Sequence, residues 1–241
     1  MPLSSDALDL PPPFRSVALR EVGDAFAHAL AHAGSLGAGA LVFVGRCDVA
    51  EFSVVLEPEE PLIGARRAFY AGMVALVDTL AALAPPETPL AVVWPDAVRI
   101  GGGLVGGGRF AWPQGAGEQA TPDWLVFGAT IRLVSISGEA LRRQWTTLED
   151  EGFGAIDVER FVAAFARHLM AAFDCWHDGD FASLARDYLA RLPRERGVRH
   201  AIEPNGDLRI ERLGKPAAHL DLRSALEAPS WLDPATGGPP Q

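Results

Sequence analysis

Four arginines, Arg46, Arg99, Arg109 and Arg132, fall in or beside stretches that read as core strands. Arginine is seldom buried without a partner. A guanidinium on a strand faces solvent, closes a structural ion pair, or grips an anion such as a carboxylate or phosphate through its fork of N–H groups. Close by, Trp94 to Arg109 (WPDAVRIGGGLVGGGR) holds two glycine triplets, Gly101–Gly103 and Gly106–Gly108. Glycine allows positive φ and close backbone approach. Such a run either turns backbone N–H groups toward an anion or forms a tight hairpin in a crowded sheet. It is neither a P-loop nor a dinucleotide fingerprint, because no Lys-Ser/Thr follows and the spacing is wrong. Trp94 and Asp96 read first as a turn, a packed ring followed by a carboxylate that caps the reversal.

Other groups offer weaker chemistry. Asp48 and Glu51 have the type for acid/base work, although two acids three apart are common at strand starts. His28 and His32 stand at i, i+4 with Asp24 one turn earlier, so one helix face carries three metal-ligand types. No fourth ligand and no HExxH context accompany them, so a solvated face is expected and no tightly bound metal. Cys47 follows Arg46, which favours a thiolate; Cys175, beside Trp176 and His177, reads as packing. Two cysteines give no disulfide framework and no zinc spacing.

Composition narrows the classes. The chain has 241 residues, 49% of them hydrophobic and 22% charged, as in a globular protein with one large core or a main domain and a small one. The net charge of −10 argues against nucleic acid, which needs clustered basic residues. Of the 21 basic residues only Lys215 is lysine. The longest mostly apolar stretch, Ala68 to Ala84, is interrupted by Asp78 and too short for a membrane span. The N-terminus lacks a basic region followed by an apolar core. A soluble cytoplasmic protein is expected.

The elements that must position these residues follow from periodicity and breakers. Pro11–Pro13 make a stiff lead. Val22, Phe26, Ala29, Leu30 and Ala33 recur at helical spacing, with Gly34 as the stop. ALVFVG (40–45) and EFSVVLE (51–57) read as strands, and Pro61 to Ala84 as one long helix. Strands follow at 90–94, 97–100, around Leu104 to Trp112, and 124–134, with Pro113 to Pro122 as a surface excursion. Thr146 or Thr147 caps a turn into Glu149–Glu151, Asp157 caps a helix to about Trp176, and a further helix spans about Phe181 to Leu192. Val198–Glu203 and Asp207–Glu211 flank the hairpin signal Pro204-Asn205-Gly206, and HLDL (219–222) offers a third strand. Helices and strands in mixed order predict an α+β fold, a mixed β-sheet packed with helices. The expected division is an extended lead over 1–14, the α+β domain over 15–192, a small C-terminal β-barrel-like domain over 193–233, and a disordered Gly/Pro-rich tail over 234–241.

VWPDAVRI (93–100), LVGGGR (104–109), FGATIRL (127–133), TTLEDEGF (146–153) and GDLRIERLG (206–214) occur in an order that resembles the biotin/lipoate protein ligase superfamily, which includes the octanoyl transferases. The collinear set covers roughly 15–233. The resemblance implies a ligase-like catalytic domain and a small C-terminal barrel. It implies a carboxylic-acid ligand such as biotin, lipoate or octanoate, ATP with Mg as co-substrate, and transfer to an acyl-carrier or biotinyl/lipoyl domain. It places Arg46, Trp94, Asp96, Gly106, Gly107, Gly108, Arg109 and Arg132 around the ligand, with Arg109 and Arg132 as the preferred anion-binding pair. Two departures stand out. Leu104 and Val93 occupy the places of family lysines, and Arg46 to Ala50 is too short for the glycine- and arginine-rich loop that covers the adenylate. The alternative is a non-catalytic descendant that keeps the pocket as a ligand-binding or protein-interaction module. Apolar edge strands make a homodimer plausible.

Overall fold

The computed structural model describes residues 8–135 and 144–232. Its centre is a seven-stranded sheet in the order β1-β2-β3-β7-β6-β5-β4. The strands are β1 (Arg15–Leu19), β2 (Ala40–Val44), β3 (Val49–Leu56), β4 (Leu90–Val93), β5 (Ala97–Ile100), β6 (Gly103–Ala111) and β7 (Leu125–Arg132). Only β1 and β2 run parallel, joined by the crossover helix α1 (Ala25–Leu36). The mixed sheet with helices is the expected α+β architecture.

Strand alternation splits the core in two. Ala40, Val42, Val44, Val55 and Val126 face α1, whose Ala25, Ala29 and Ala33 lie on one stripe. These small residues let the helix sit close to the sheet. Leu41, Phe43, Phe52, Val54, Phe127 and Ile131 face the other way, toward α3 (Ala68–Leu83) and α4 (Val158–Gly179). There Phe165 lies 4.5 Å from Phe52 and 5.7 Å from Phe127, ring centre to ring centre. Gly72 permits the close approach of α3, since a Cβ there would stand 2.3 Å from the Phe127 ring.

Several sequence expectations are corrected. Residues 15–19 form the edge strand β1, which the proline lead had hidden. The first helix begins after Val22, which is exposed, because Asp24 accepts a hydrogen bond from the Ala27 amide and caps it. It runs past Gly34 to Gly37, whose φ of +67° ends it. The helix expected over Pro61 to Ala84 is two, α2 (Leu62–Ala65) and α3. At Arg66–Arg67 the backbone tightens to bonds from Arg67 to Gly64 and from Tyr70 to Arg67. The segment 113–122 is a largely exposed loop, as expected, and is tethered: Glu118 pairs with Arg66 and Arg223, and the Leu62 amide donates to the Ala120 carbonyl.

The chain continues through α5 (Phe181–Leu189), whose N-terminus Asp180 caps. A three-stranded antiparallel sheet follows, β8 (Val198–Ile202), β9 (Leu208–Arg212) and β10 (Ala218–Leu220), in the order β10-β9-β8. The C-terminal region is not all β: α6 (Leu222–Glu227), capped by Asp221, adds Leu222 and Leu226 to the core beneath α3. The tail expected to be disordered lies outside the described residues. No described helix is long and apolar enough to cross a membrane.

Candidate functional site

On the α1 side, that helix contacts β2, β3 and β7. Beyond β7 the same face of β6 carries the Trp231 indole, against Gly107. Cross-strand register builds this half, whose central residues Ser53, Arg109 and Thr130 are buried. Glu51 pairs with Thr130, and Thr130 with Gly107; one step along, Ser53 pairs with Gly128, and Gly128 with Arg109. Each row places its residues on one face across three strands.

Arg109 is the centre of this face. Gly128 beside it has no side chain, so Phe26 of α1 lies on the strand there; a Cβ at Gly128 would meet the Phe26 ring at 2.5 Å. The Arg109 guanidinium stacks on Phe26, 4.4 Å from the ring centre. It is 8% exposed. Its Nε has no hydrogen-bond partner, and its ion pair with Asp24 spans 3.9 Å, too long for a hydrogen bond. Burial opposes the charge of Arg109, and the carboxylates of Asp24 and Glu51 partly offset that. The neighbouring hydroxyl of Ser53 is likewise buried without a partner.

Glu51 accepts a 2.8 Å hydrogen bond from the Ala25 amide at the start of α1, where the helix dipole favours a carboxylate. Burial nevertheless dominates and raises its pKa above the usual range. The site therefore combines a desolvated cation with an unpartnered donor and a carboxyl group able to hold a proton above the ordinary glutamate range.

The other expected residues separate into groups. Arg132 is on the same face, with its guanidinium 5.2 Å from the Trp145 ring centre. Arg46 donates to both oxygens of Asp48, with Nε at 2.8 Å, and so closes the short β2–β3 connection. That connection is Gly45 to Asp48, too short for a covering loop. Trp94 points to the helical side, where its indole donates to the Tyr70 hydroxyl at 3.1 Å and Tyr70 donates on to the Gly206 carbonyl. Asp96 is buried at the β4–β5 turn and accepts from the Ser230 amide at 2.9 Å and the Ser230 hydroxyl at 2.7 Å. Burial raises the Asp96 carboxyl to about 6.

The chain's own atoms fill the space at the glycine triplet. Gly106, with φ of +143°, sits at the β5–β6 irregularity, where a Cβ would stand 1.9 Å from the Thr130 carbonyl oxygen. Gly108 faces Met73 and Phe127 on the helical side. Gly107 faces the Arg109 side, and there Trp231 lies against it. Trp231 and Ser230 carry no spacing signal in the sequence, and the helical spacing that includes Phe26 does not announce its contact with Arg109. His28 and His32 stack on each other at 4.3 Å, while the Asp24 carboxylate caps α1. Cys175 lies 3.7 Å from the Asp187 carboxylate, and Cys47 is exposed. Lys215 is exposed between β9 and β10, far along the chain from this face.

The sequence profile of the biotin/lipoate A/B protein ligase family matches residues 10–190. The chain belongs to this family. Solved structures agree on the fold. A biotin protein ligase-like protein of unknown function from Silicibacter sp. TM1040 shares 25% identity over 91% of this chain and 99% of its own, with a TM-score of 0.78. The biotin protein ligase of Aquifex aeolicus, in complex with biotin and ATP, superposes with a TM-score of 0.64 at 13% identity over 85% of this chain and 94% of its own. That of Leishmania major, in complex with biotinyl-5-AMP, gives 0.56 at 15% identity over 88% and 100%. Comparison with the curated proteins returned no match. Leu104, on the β5–β6 hairpin, is buried against Ala97 and Trp231.

A hollow of about 430 Å³ opens on the opposite face between the end of β3 and α4. Phe14, Leu56, Met170 and Phe173 line it, and Glu57, Glu59 and Asp174 rim it. The acidic rim repels anions.

Proposed function

We propose that this protein binds the carboxylate of a small acyl ligand at Arg109, on the sheet face beside the N-terminus of α1. One observation carries the reading: a buried guanidinium whose Nε lacks a partner and whose ion-paired carboxylate is 3.9 Å away. An incoming carboxylate gives that fork a bidentate partner. Burial of Glu51 raises its carboxyl above the usual range, so its charge, and with it the repulsion toward an incoming carboxylate, sets in at higher pH than for an exposed glutamate. Arg132 and Thr130 share the face as its other polar side chains, and Gly107 shares it beneath the Trp231 indole. Biotin, lipoate and octanoate are the candidate ligands. The named complexes of the Aquifex and Leishmania ligases support a ligand of this class.

Adenylation with Mg-ATP and transfer to an acyl-carrier or biotinyl/lipoyl domain form the catalytic version of this reading. A specific observation favours the non-catalytic version. Leu104 is buried under an indole at the hairpin, and the chain's one lysine is in the small sheet, so no lysine neutralises a developing acyl-phosphate. Arginine stabilises such charge but shuttles protons poorly.

Titration calorimetry with octanoate, lipoate and biotin, and ATP/pyrophosphate exchange with each, test the proposal. Binding that Arg109→Ala abolishes supports it, exchange adds catalysis, and binding without exchange leaves a ligand-binding module. Wild-type protein that binds none of the three overturns it.

A further inference from the structure

Trp231 is the unexpected occupant of this face. The chain leaves α6, passes the Asp96 turn and lays the indole against β6. The ring is 1% exposed. Its Nε1 donates to the Gly108 carbonyl at 2.9 Å. Ser230 fixes the approach by donating both its amide and its hydroxyl to Asp96. Gly107 is what admits the ring, since a Cβ there would stand 2.5 Å from two indole atoms and 2.1 Å from the Asp96 carbonyl oxygen. Around the ring are Ala97, Leu104, Trp145 and Leu232, all apolar.

Gly107 and Arg109 are two positions apart on β6 and point to the same face. Phe26 and α1 close one side of Arg109. Trp231 lies against Gly107, one same-face position along β6 from Arg109 and beside Ala97 of β5. A ligand whose carboxylate rests on Arg109 therefore has its tail bounded by these two rings.

We propose that Trp231 is a specificity-determining residue: its indole is the wall that limits the length of the acyl chain, and the slot it fills is an apolar extension of the Arg109 site. The inference rests on the ligand reading above. Vacating the ring leaves a slot walled mainly by Ala97, Leu104, Trp145 and Leu232, with the Gly108 carbonyl as its one freed acceptor, and a slot so lined favours an apolar guest. Deleting the ring therefore converts a stop into a channel along β6. The strap at Ser230 and Asp96 holds the wall in place, and Ser230 has no part in the slot itself.

The test is calorimetry with butanoate, hexanoate, octanoate and decanoate on wild type and Trp231→Ala. In wild type, affinity stops rising once the chain meets the indole. In Trp231→Ala it goes on rising, roughly fourfold for each further methylene buried. Added indole refills the slot, so it competes with decanoate on the variant and leaves butanoate binding unchanged. A merely structural tryptophan predicts neither the length shift nor the competition. If Trp231→Ala fails to fold, Trp231→Phe and Trp231→Leu replace it, and the preferred chain length follows the volume removed. The same length preference in wild type and a folded variant overturns the inference while leaving the ligand reading intact. No binding of any acid by either protein overturns both.

Discussion

The Arg109 guanidinium rests on the Phe26 ring at 4.4 Å, and Phe26 rests on the bare backbone of Gly128. Three elements thus cooperate in one stack: β7 supplies the missing side chain, α1 the ring and β6 the charge. The stack holds Arg109 in a single orientation with part of its hydrogen-bonding capacity unused. Arg109→Leu should therefore bind carboxylates at least tenfold more weakly, because a hydrogen bond to a charged group contributes about 1.5–3 kcal/mol. Its melting temperature should hold or rise, since the variant no longer desolvates a partly unsatisfied cation. Calorimetry and thermal melts on the same samples check both; a variant that loses stability along with binding points to a structural arginine.

Glu51 sets the pH dependence of that binding. Burial raises its pKa, so protonated Glu51 persists above the ordinary glutamate range. As pH rises through the raised pKa, the new anion competes for Arg109 and ligand affinity falls. Glu51→Gln keeps an acceptor for the Ala25 amide and should flatten this dependence. Dissociation constants measured upward from pH 5 in both proteins decide it.

Asp96 makes a similar statement about stability. Its carboxyl is raised from 3.8 to about 6, so between those values the folded chain holds a proton that the unfolded chain has released. Stability from this group is therefore lost as pH rises from about 4 to 6, by about 3 kcal/mol when complete. Below pH 4 the penalty is absent; above 6 it is fully present. Asp96→Asn can still accept from the Ser230 amide and donate to its hydroxyl. Its unfolding free energy, followed by denaturant titration from pH 4 to 7, should lack this component.

Glu118 joins three parts of the chain by pairing with Arg66 at the α2–α3 break and Arg223 on α6. Arg66 is 3% exposed and also donates to the Asn205 carbonyl. Glu118→Ala should cost about 3 kcal/mol, because it leaves a buried cation short of its partner. Glu118→Gln, which keeps an acceptor, should cost less. Chemical denaturation of both variants measures the difference.

The two glycine triplets should respond differently to alanine. At Gly106 the added Cβ collides with the Thr130 carbonyl oxygen, so Gly106→Ala should break the β6–β7 pairing and leave the protein insoluble. At Gly102, where φ is +91° and nothing lies within 4 Å, only backbone strain of about 1–2 kcal/mol is expected. Soluble yield and melting temperature separate the two.

Much of the scaffold was legible in the sequence because its signals are local. Asp157 and Asp180 announce their helices by capping them. The continuous apolar run ALVFV and breakers at Pro85 and Pro86 delimit elements in the same way. The order of the motifs along the chain also pointed to the family, since collinear order survives where individual residues do not.

What the sequence could not assign was the direction in which side chains point when a strand is irregular. Trp94 and Asp96 are adjacent to one proline, yet one faces Tyr70 on the helical side and the other faces Ser230. Gly107 and Gly108 are neighbours on opposite faces, and the irregularity in β5–β6 pairing at Val98/Arg99 sets which is which. A one-residue slip inverts every such assignment. Trp231 lay further beyond reach, because its place depends on a return of the chain over more than a hundred residues to Gly107. The sequence by itself determined the elements, their order, the family and the absence of a lysine at the hairpin. Only the tertiary structure decided that Arg109 meets Phe26 and Glu51 while an indole from the C-terminal segment covers the glycines. Local propensity acts through neighbours a few residues apart, whereas a site is made of contacts that close only when the sheet is assembled.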